Sequence, residues 1–314
     1  MTSRRPLLRP RALRRGDRVA LLSLASPPRQ ADVEAGADEL RALGFEPVID
    51  DVAGGTSAPY VAGGAAERAA LLRARLRDDT VAAIVATRGG YGSAHVLPWL
   101  DVDEIRATRK LLVGYSDITA LLDVWTGAAG VVSIHGPMAE GRLARGPAGY
   151  DRDSFLRVTM EPTPLGVVAA PEARVLRRGH AVGVLRGGTL TQVAALLGTP
   201  WAFAAPEDTV LFLDDVNERP YRIDRMLLQL RQAGVLARVR GIVFNELPGC
   251  DEPDGGIGAC EALLHALDDF DGPIVSGVPS GHTARPMLTL PLGVSATVSA
   301  GAQASLSIDE AAVE

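Results

Sequence analysis

From Arg18 onward the chain alternates short apolar runs with stretches whose apolar residues recur at helical spacing. Residues 19–25 (VALLSLA), 46–49, 81–87 (VAAIVAT), 110–113 and 131–134 read as strands. Between them, residues 30–43, 65–77 and 118–125 read as helices, the first of them stopped by Gly44. The longer strands are continuously apolar and do not alternate with polar residues. That pattern belongs to a parallel sheet covered by helices on both faces.

The pattern loosens after Pro137. Seven glycines and prolines lie between Gly141 and Gly166, a composition suited to a crossing between domains. Beyond it come strands at 181–185, 210–213, 241–244 and 295–298, with helices at 191–197 and 223–233. The expected architecture is α/β. A parallel-sheet domain of the flavodoxin or Rossmann kind spans 1–150, a crossing spans 151–175, and a smaller mixed α/β or α+β domain spans 176–314.

Composition narrows the function classes. With 314 residues, 47% hydrophobic and 22% charged, the chain can bury a full core without disulfides or a structural metal. A net charge of -6 gives no footprint for nucleic acid or for an anionic membrane surface. No apolar run approaches the length of a membrane span. Residues 1–15 carry six arginines and no apolar leader core, so they read as a solvated tail and the protein as cytoplasmic. Cys250 and Cys260 are the only cysteines and form no C-x-x-C pair, which leaves disulfide-framework, zinc-finger and iron–sulfur readings without support. Lys110 is the sole lysine among 32 basic residues and lacks the context of a phosphate-loop lysine. The arginine excess reads as nucleotide bias.

Four loops could carry chemistry. In Gly114-Tyr115-Ser116-Asp117 a buried strand turns into a helix, so the Ser116 hydroxyl projects from the carboxyl edge of the sheet beside the helix N-terminal N–H groups. Capping of that helix by Ser116 or Asp117 is the other reading. Arg88-Gly89-Gly90-Tyr91-Gly92-Ser93 follows a strand. Its spacing fails G-x-G-x-x-G, and it reads as half of an oxyanion hole contributed by the Gly90 N–H, or as a plain tight turn. Asp214, Asp215 and Glu218 form an acidic cluster that could orient a histidine, hold a hard cation or cap a helix. Pro279-Ser280-Gly281-His282 presents a histidine on a loop. His135 follows a strand and could line the same cleft or hydrogen-bond at the strand end. No two histidines have zinc-ligand spacing.

Taken in order, these segments resemble the LD-carboxypeptidases (muramoyltetrapeptide carboxypeptidases), a family that also includes the microcin C immunity peptidases. The matching stretches include Gly16-Asp17, Arg88–Gly92, Gly114–Asp117, His135-Gly136-Pro137, Gly198-Thr199-Pro200, 211–225 and 279–293, nearly the whole chain. The resemblance implies a serine peptidase without a cofactor, working as a homodimer through a Ser-Glu-His triad built from both domains. It places the nucleophile at Ser116 and the general base at His282. The orienting carboxylate is placed at Glu218, because the family's first glutamate is here Asp214, with Asp214 as the second candidate for that role. The oxyanion hole is placed on the N–H groups of Gly90 and Asp117. Arg88, Tyr91, His135 and Asp214 are left as residues of the substrate cleft, and Thr189 stands where an asparagine is common. The implied reaction releases terminal D-alanine from a murein tetrapeptide in peptidoglycan recycling. The alternatives are an immunity peptidase for aminoacyl-nucleotide antibiotics, and a non-catalytic module binding peptides or nucleotides.

Overall fold

The structure, a computed structural model, describes residues 7–50 and 60–314. The first six residues of the arginine-rich tip therefore lie outside the described residues. The chain divides into two compact units, one made of Met1–Thr163, Arg285–Gly293 and Ala311–Glu314, the other of Pro164–Ala284 and Val294–Glu310.

The first unit is built on a six-stranded sheet in the order Leu290–Leu292, Ser133–His135, Leu111–Gly114, Val81–Ala86, Arg18–Leu22, Glu46–Asp50. All pairings are parallel except that of Leu290–Leu292 with Ser133–His135. The parallel strands follow the apolar runs, and Val81–Ala86 and Leu111–Gly114 are almost wholly buried, as a sheet covered on both faces requires. By chain order the five parallel strands run 2-1-3-4-5, the flavodoxin-like arrangement. Its switch point lies between the first and third strands, where ligands bind at the carboxyl ends.

The helices Gln30–Ala42 and Ala65–Arg77 occur where the apolar spacing predicts them. The helix expected over 118–125 is distributed differently. It opens as a 3₁₀ turn at Ser116–Ile118, continues as the α-helix Thr119–Asp123, and ends in a π-helical turn at Val124–Ala128. The segment 151–175, expected as a crossing, contains the helix Arg152–Met160, whose N-terminus is capped by Asp151 accepting from Ser154 N at 2.7 Å. The sole lysine serves packing here: Lys110 Nζ donates to the Arg75 carbonyl at 2.9 Å.

The second unit holds an eight-stranded mixed sheet in the order Gly166–Val167, Ala304–Ile308, Ser295–Ala300, Gly179–Thr189, Thr209–Asp214, Val239–Phe244, Ile274–Ser276, Arg174–Arg177. The four strands from Gly179–Thr189 to Ile274–Ser276 are mutually parallel and the outer ones antiparallel. Ser295–Ala300 alternates, burying Ala296, Val298 and Ala300 and turning its serines and threonine the other way. The helices Pro220–Gln232 and Ala259–Ala266 close one core through Ile223, Leu227, Leu230 and Leu263 over Leu211 and Phe244. Thr209–Asp214 is fully buried and delivers Asp214 at its carboxyl end.

Candidate active site

In the first unit the candidate residues gather at the carboxyl ends of three adjacent strands. Ser116 follows Leu111–Gly114 and has φ of 61°, a left-handed conformation that costs a non-glycine residue about 1–2 kcal/mol. A strained serine on a strand-to-helix turn is held there by its surroundings, and such strain clusters at functional sites. The surroundings are close. A β-carbon built at Gly89 would stand 2.8 Å from Ser116 Cβ, 3.0 Å from its Oγ and 3.2 Å from Asp117 N. Only glycine lets the loop after Val81–Ala86 lie against the serine in this way.

The next peptide is oriented from the first strand. Ser26 N–H donates to the Gly89 carbonyl at 3.2 Å, and Ser26 Oγ accepts from Tyr91 N at 3.0 Å. No peptide in the described chain is cis. In a planar trans peptide the carbonyl and the following N–H point in opposite directions, so Gly90 N–H is aimed away from the Ser26 amide. Ser26 was legible only as the polar end of the apolar run 19–25; its role in holding the glycine loop comes from pairing distant in sequence.

Asp117 is buried, and its carboxylate accepts from Ser93 N at 2.7 Å, while Ser93 Oγ donates to the Asp117 carbonyl at 2.5 Å. Burial pushes the Asp117 carboxyl above its ordinary pKa, opposed by the Ser93 donors and by the nearby Arg68 guanidinium. Arg88 lies beside the same loop, donating to the Pro27 carbonyl at 3.3 Å and pairing with Glu140 at 3.4 Å. Tyr91 is half exposed, with its ring edge-on to Tyr60 and His95. His135, read as lining a cleft or hydrogen-bonding at the strand end, is fully enclosed, its ring 6.0 Å from that of Tyr115.

In the second unit the acidic cluster is split among three partners. His282 Nδ1 lies 2.6 Å from Asp214 Oδ2, and the His282 backbone N–H donates to the same oxygen at 3.0 Å. Thr189 Oγ1 donates to Asp214 Oδ1 at 2.8 Å. Asp214 is fully buried, so these donors replace the water that its charge gives up. The imidazole partner is therefore Asp214 and not Glu218. The latter side chain lies 3.5 Å from Arg222, one helical turn along.

The reason for that correction is local. Gly281 has φ of 72°, and a β-carbon there would stand 2.3 Å from Asp214 Oδ2, so the histidine loop can descend onto the strand end only with glycine at that position. Asp215 accepts from Thr191 N and Oγ1 at 2.9 and 2.7 Å. Asn245 Nδ2 donates to the His282 carbonyl at 2.6 Å, fixing the loop from the neighbouring strand. Thr189 and Asn245 are supports that the sequence did not reveal, since each acts on a residue far along the chain.

Among the described residues no group of three or more His, Cys, Asp or Glu is arranged to hold a metal ion. Burial raises the Cys250 thiol to about 11, so it carries little thiolate at neutral pH. The chemistry available is that of a hydroxyl, an imidazole on a buried carboxylate, and backbone donors.

Two family models match this chain, the LD-carboxypeptidase N-terminal domain over residues 19–136 and the LD-carboxypeptidase C-terminal domain over 182–298. The chain belongs to the LD-carboxypeptidase family. It is an enzyme of the serine-type carboxypeptidase class. A Streptomyces coelicolor protein named "Putative carboxypeptidase SCO6489" is 35% identical over 303 residues, covering 94% of each chain. The microcin C7 self-immunity protein MccF of Escherichia coli is 28% identical over 312 residues, covering 89% of each. Among solved structures, muramoyltetrapeptide carboxypeptidase from Oxalobacter formigenes superposes with a TM-score of 0.82 at 27% identity, covering 93% of this chain and 99% of that one. The LD-carboxypeptidase fold is thus present throughout, a parallel-sheet unit followed by a mixed one. Among the described residues no helix is long and apolar enough to cross a membrane.

Proposed function

We propose that this LD-carboxypeptidase hydrolyses the L,D-peptide bond before the terminal D-alanine of murein tetrapeptides, in peptidoglycan recycling. The observation that carries the reading is the 2.6 Å bond from His282 Nδ1 to the enclosed Asp214 carboxylate. A carboxylate accepts, so the Nδ1 position holds the proton and Nε2 is the basic nitrogen. His282 Nε2 takes the Ser116 proton as Oγ attacks the scissile carbonyl, and Asp214 stabilises the resulting imidazolium. The N–H groups of Gly90 and Asp117 receive the oxyanion. Collapse returns the proton to the leaving D-alanine amine, and water then releases the acyl group from Ser116 by the same relay.

Incubation with free tetrapeptide tests the reading. D-Alanine should appear with wild-type protein and vanish with His282→Ala. A protein that releases none from any murein tetrapeptide would overturn it. The leaving end of that substrate is a carboxylate, and Arg88 belongs to the Gly90 loop: its Nη2 lies 3.7 Å from the β-carbon position of Gly90. Hydrogen bonds to charged groups contribute about 1.5–3 kcal/mol, so Arg88→Ala should raise KM about 10–100-fold with kcat nearly unchanged. Steady-state kinetics check this, and an unchanged KM would remove Arg88 from that role.

A second reading, immunity toward aminoacyl-nucleotide antibiotics, is favoured by the similarity to MccF and by the exposed rings of Tyr60 and Tyr91, on which a base could stack. Cleavage of an aminoacyl sulfamoyl adenosine, with tetrapeptide untouched, would place it first. Cytoplasmic residence and a homodimer belong to the same proposal, and sedimentation at micromolar concentration checks the latter.

A further inference from the structure

Arg68 occupies an unusual place for an arginine. It is fully buried on the helix Ala65–Arg77. Burying a guanidinium is costly unless its donors are met, and here they are met only in part. Nη1 donates to the Leu24 carbonyl at 2.6 Å and to the Gly92 carbonyl at 2.8 Å, whereas Nε and Nη2 find no acceptor among the described residues. The charge is answered at longer range by Asp117.

The two carbonyls are informative. Leu24 lies two residues before Ser26, whose amide and hydroxyl hold Gly89 and Tyr91. Gly92 closes the loop that lies against Ser116, and it has φ of 114°. Asp117, the residue after the nucleophile, is fastened to Ser93 through both its carboxylate and its carbonyl. One buried side chain therefore bonds segments 24–26 and 89–93 together and sets its charge against Asp117, which Ser93 ties to the second of them, and these segments carry both proposed oxyanion donors.

We propose that Arg68 is a positioning residue for acyl transfer, setting the Gly90 and Asp117 N–H groups at the geometry the oxyanion requires. It acts through the loops and touches no substrate. The proposal rests on the assignment of Ser116 as nucleophile.

The test uses Arg68→Met and Arg68→Lys with two readouts. A fluorophosphonate probe counts reactive Ser116 and gives its labelling rate, and kcat for the peptide is then expressed per labelled site. Loss of an oxyanion donor costs on the order of 10²–10³ in kcat, so Arg68→Met should fall by about that factor per site, with KM within about two-fold and slower labelling. Arg68→Lys retains the charge and can reach one carbonyl; it should recover part of the loss and serves alone if the methionine variant does not fold. A purely structural role would lower the melting temperature and the number of labelled sites but leave kcat per site at the wild-type value, which would overturn the proposal. Wild-type protein that is not labelled at Ser116 would overturn the nucleophile assignment and this inference together. Labelling at equal rates in wild type and both variants would overturn this inference alone.

Discussion

Ser116→Ala is expected to lose D-alanine release by at least about 10⁴-fold while remaining folded, because the nucleophile of a serine triad carries most of the acceleration that is not due to oxyanion binding. The fold should tolerate the change. Alanine keeps the β-carbon that packs on Gly89, and the helix start at Ser116–Ile118 does not rely on the hydroxyl as its cap. The melting temperature should therefore stay within a few degrees of wild type. Ser116→Gly supplies a second measurement. At φ of 61° glycine escapes the left-handed penalty, so this variant should be about 1 kcal/mol more stable than Ser116→Ala and equally inactive. Inactivation together with that stability order would identify a strained nucleophile held for chemistry. Release near the wild-type rate in Ser116→Ala would remove the residue from the mechanism.

The parts of this fold that could be read from sequence are those determined locally. The strands Val81–Ala86 and Leu111–Gly114 show as unbroken apolar runs, and the helix Ala65–Arg77 by its spacing. Leu290–Leu292 could not be read. It is three residues long with Pro291 in its middle, and it joins the sheet edge only because the chain returns from the second unit. The helix Arg152–Met160 carried a signal in Asp151, three residues before Ser154, but glycines and prolines on both sides obscured it. Within the candidate site, the strand-to-helix turn at Ser116 and the loop histidine were visible as motifs. The support beneath them was not: Ser26, Thr189, Asn245 and Arg68 each act on a segment at least 24 residues away.

The choice between Asp214 and Glu218 shows the same limit and carries the second large effect. From sequence the two carboxylates are four residues apart on one loop, and the resemblance favoured Glu218. The distance to His282 is spanned by a partner 68 residues along the chain, and it is the lack of a side chain at Gly281 that lets the loop reach Asp214. Asp214→Asn should accordingly lower kcat by about 10⁴. An amide nitrogen facing Nδ1 would favour the tautomer with the proton on Nε2, which cannot accept the proton of Ser116. The fold should survive: the amide oxygen still accepts from Thr189 Oγ1, and the change forfeits the bond from the His282 N–H, which shares Oδ2 with Nδ1. Glu218→Gln removes only a surface pair with Arg222, generally worth less than about 1 kcal/mol, and should leave kcat within about three-fold. Measuring the two variants side by side on one tetrapeptide decides between the carboxylates. A reversed pattern, with Glu218→Gln inactive and Asp214→Asn active, would show that the His282–Asp214 bond is exchanged for another when substrate binds.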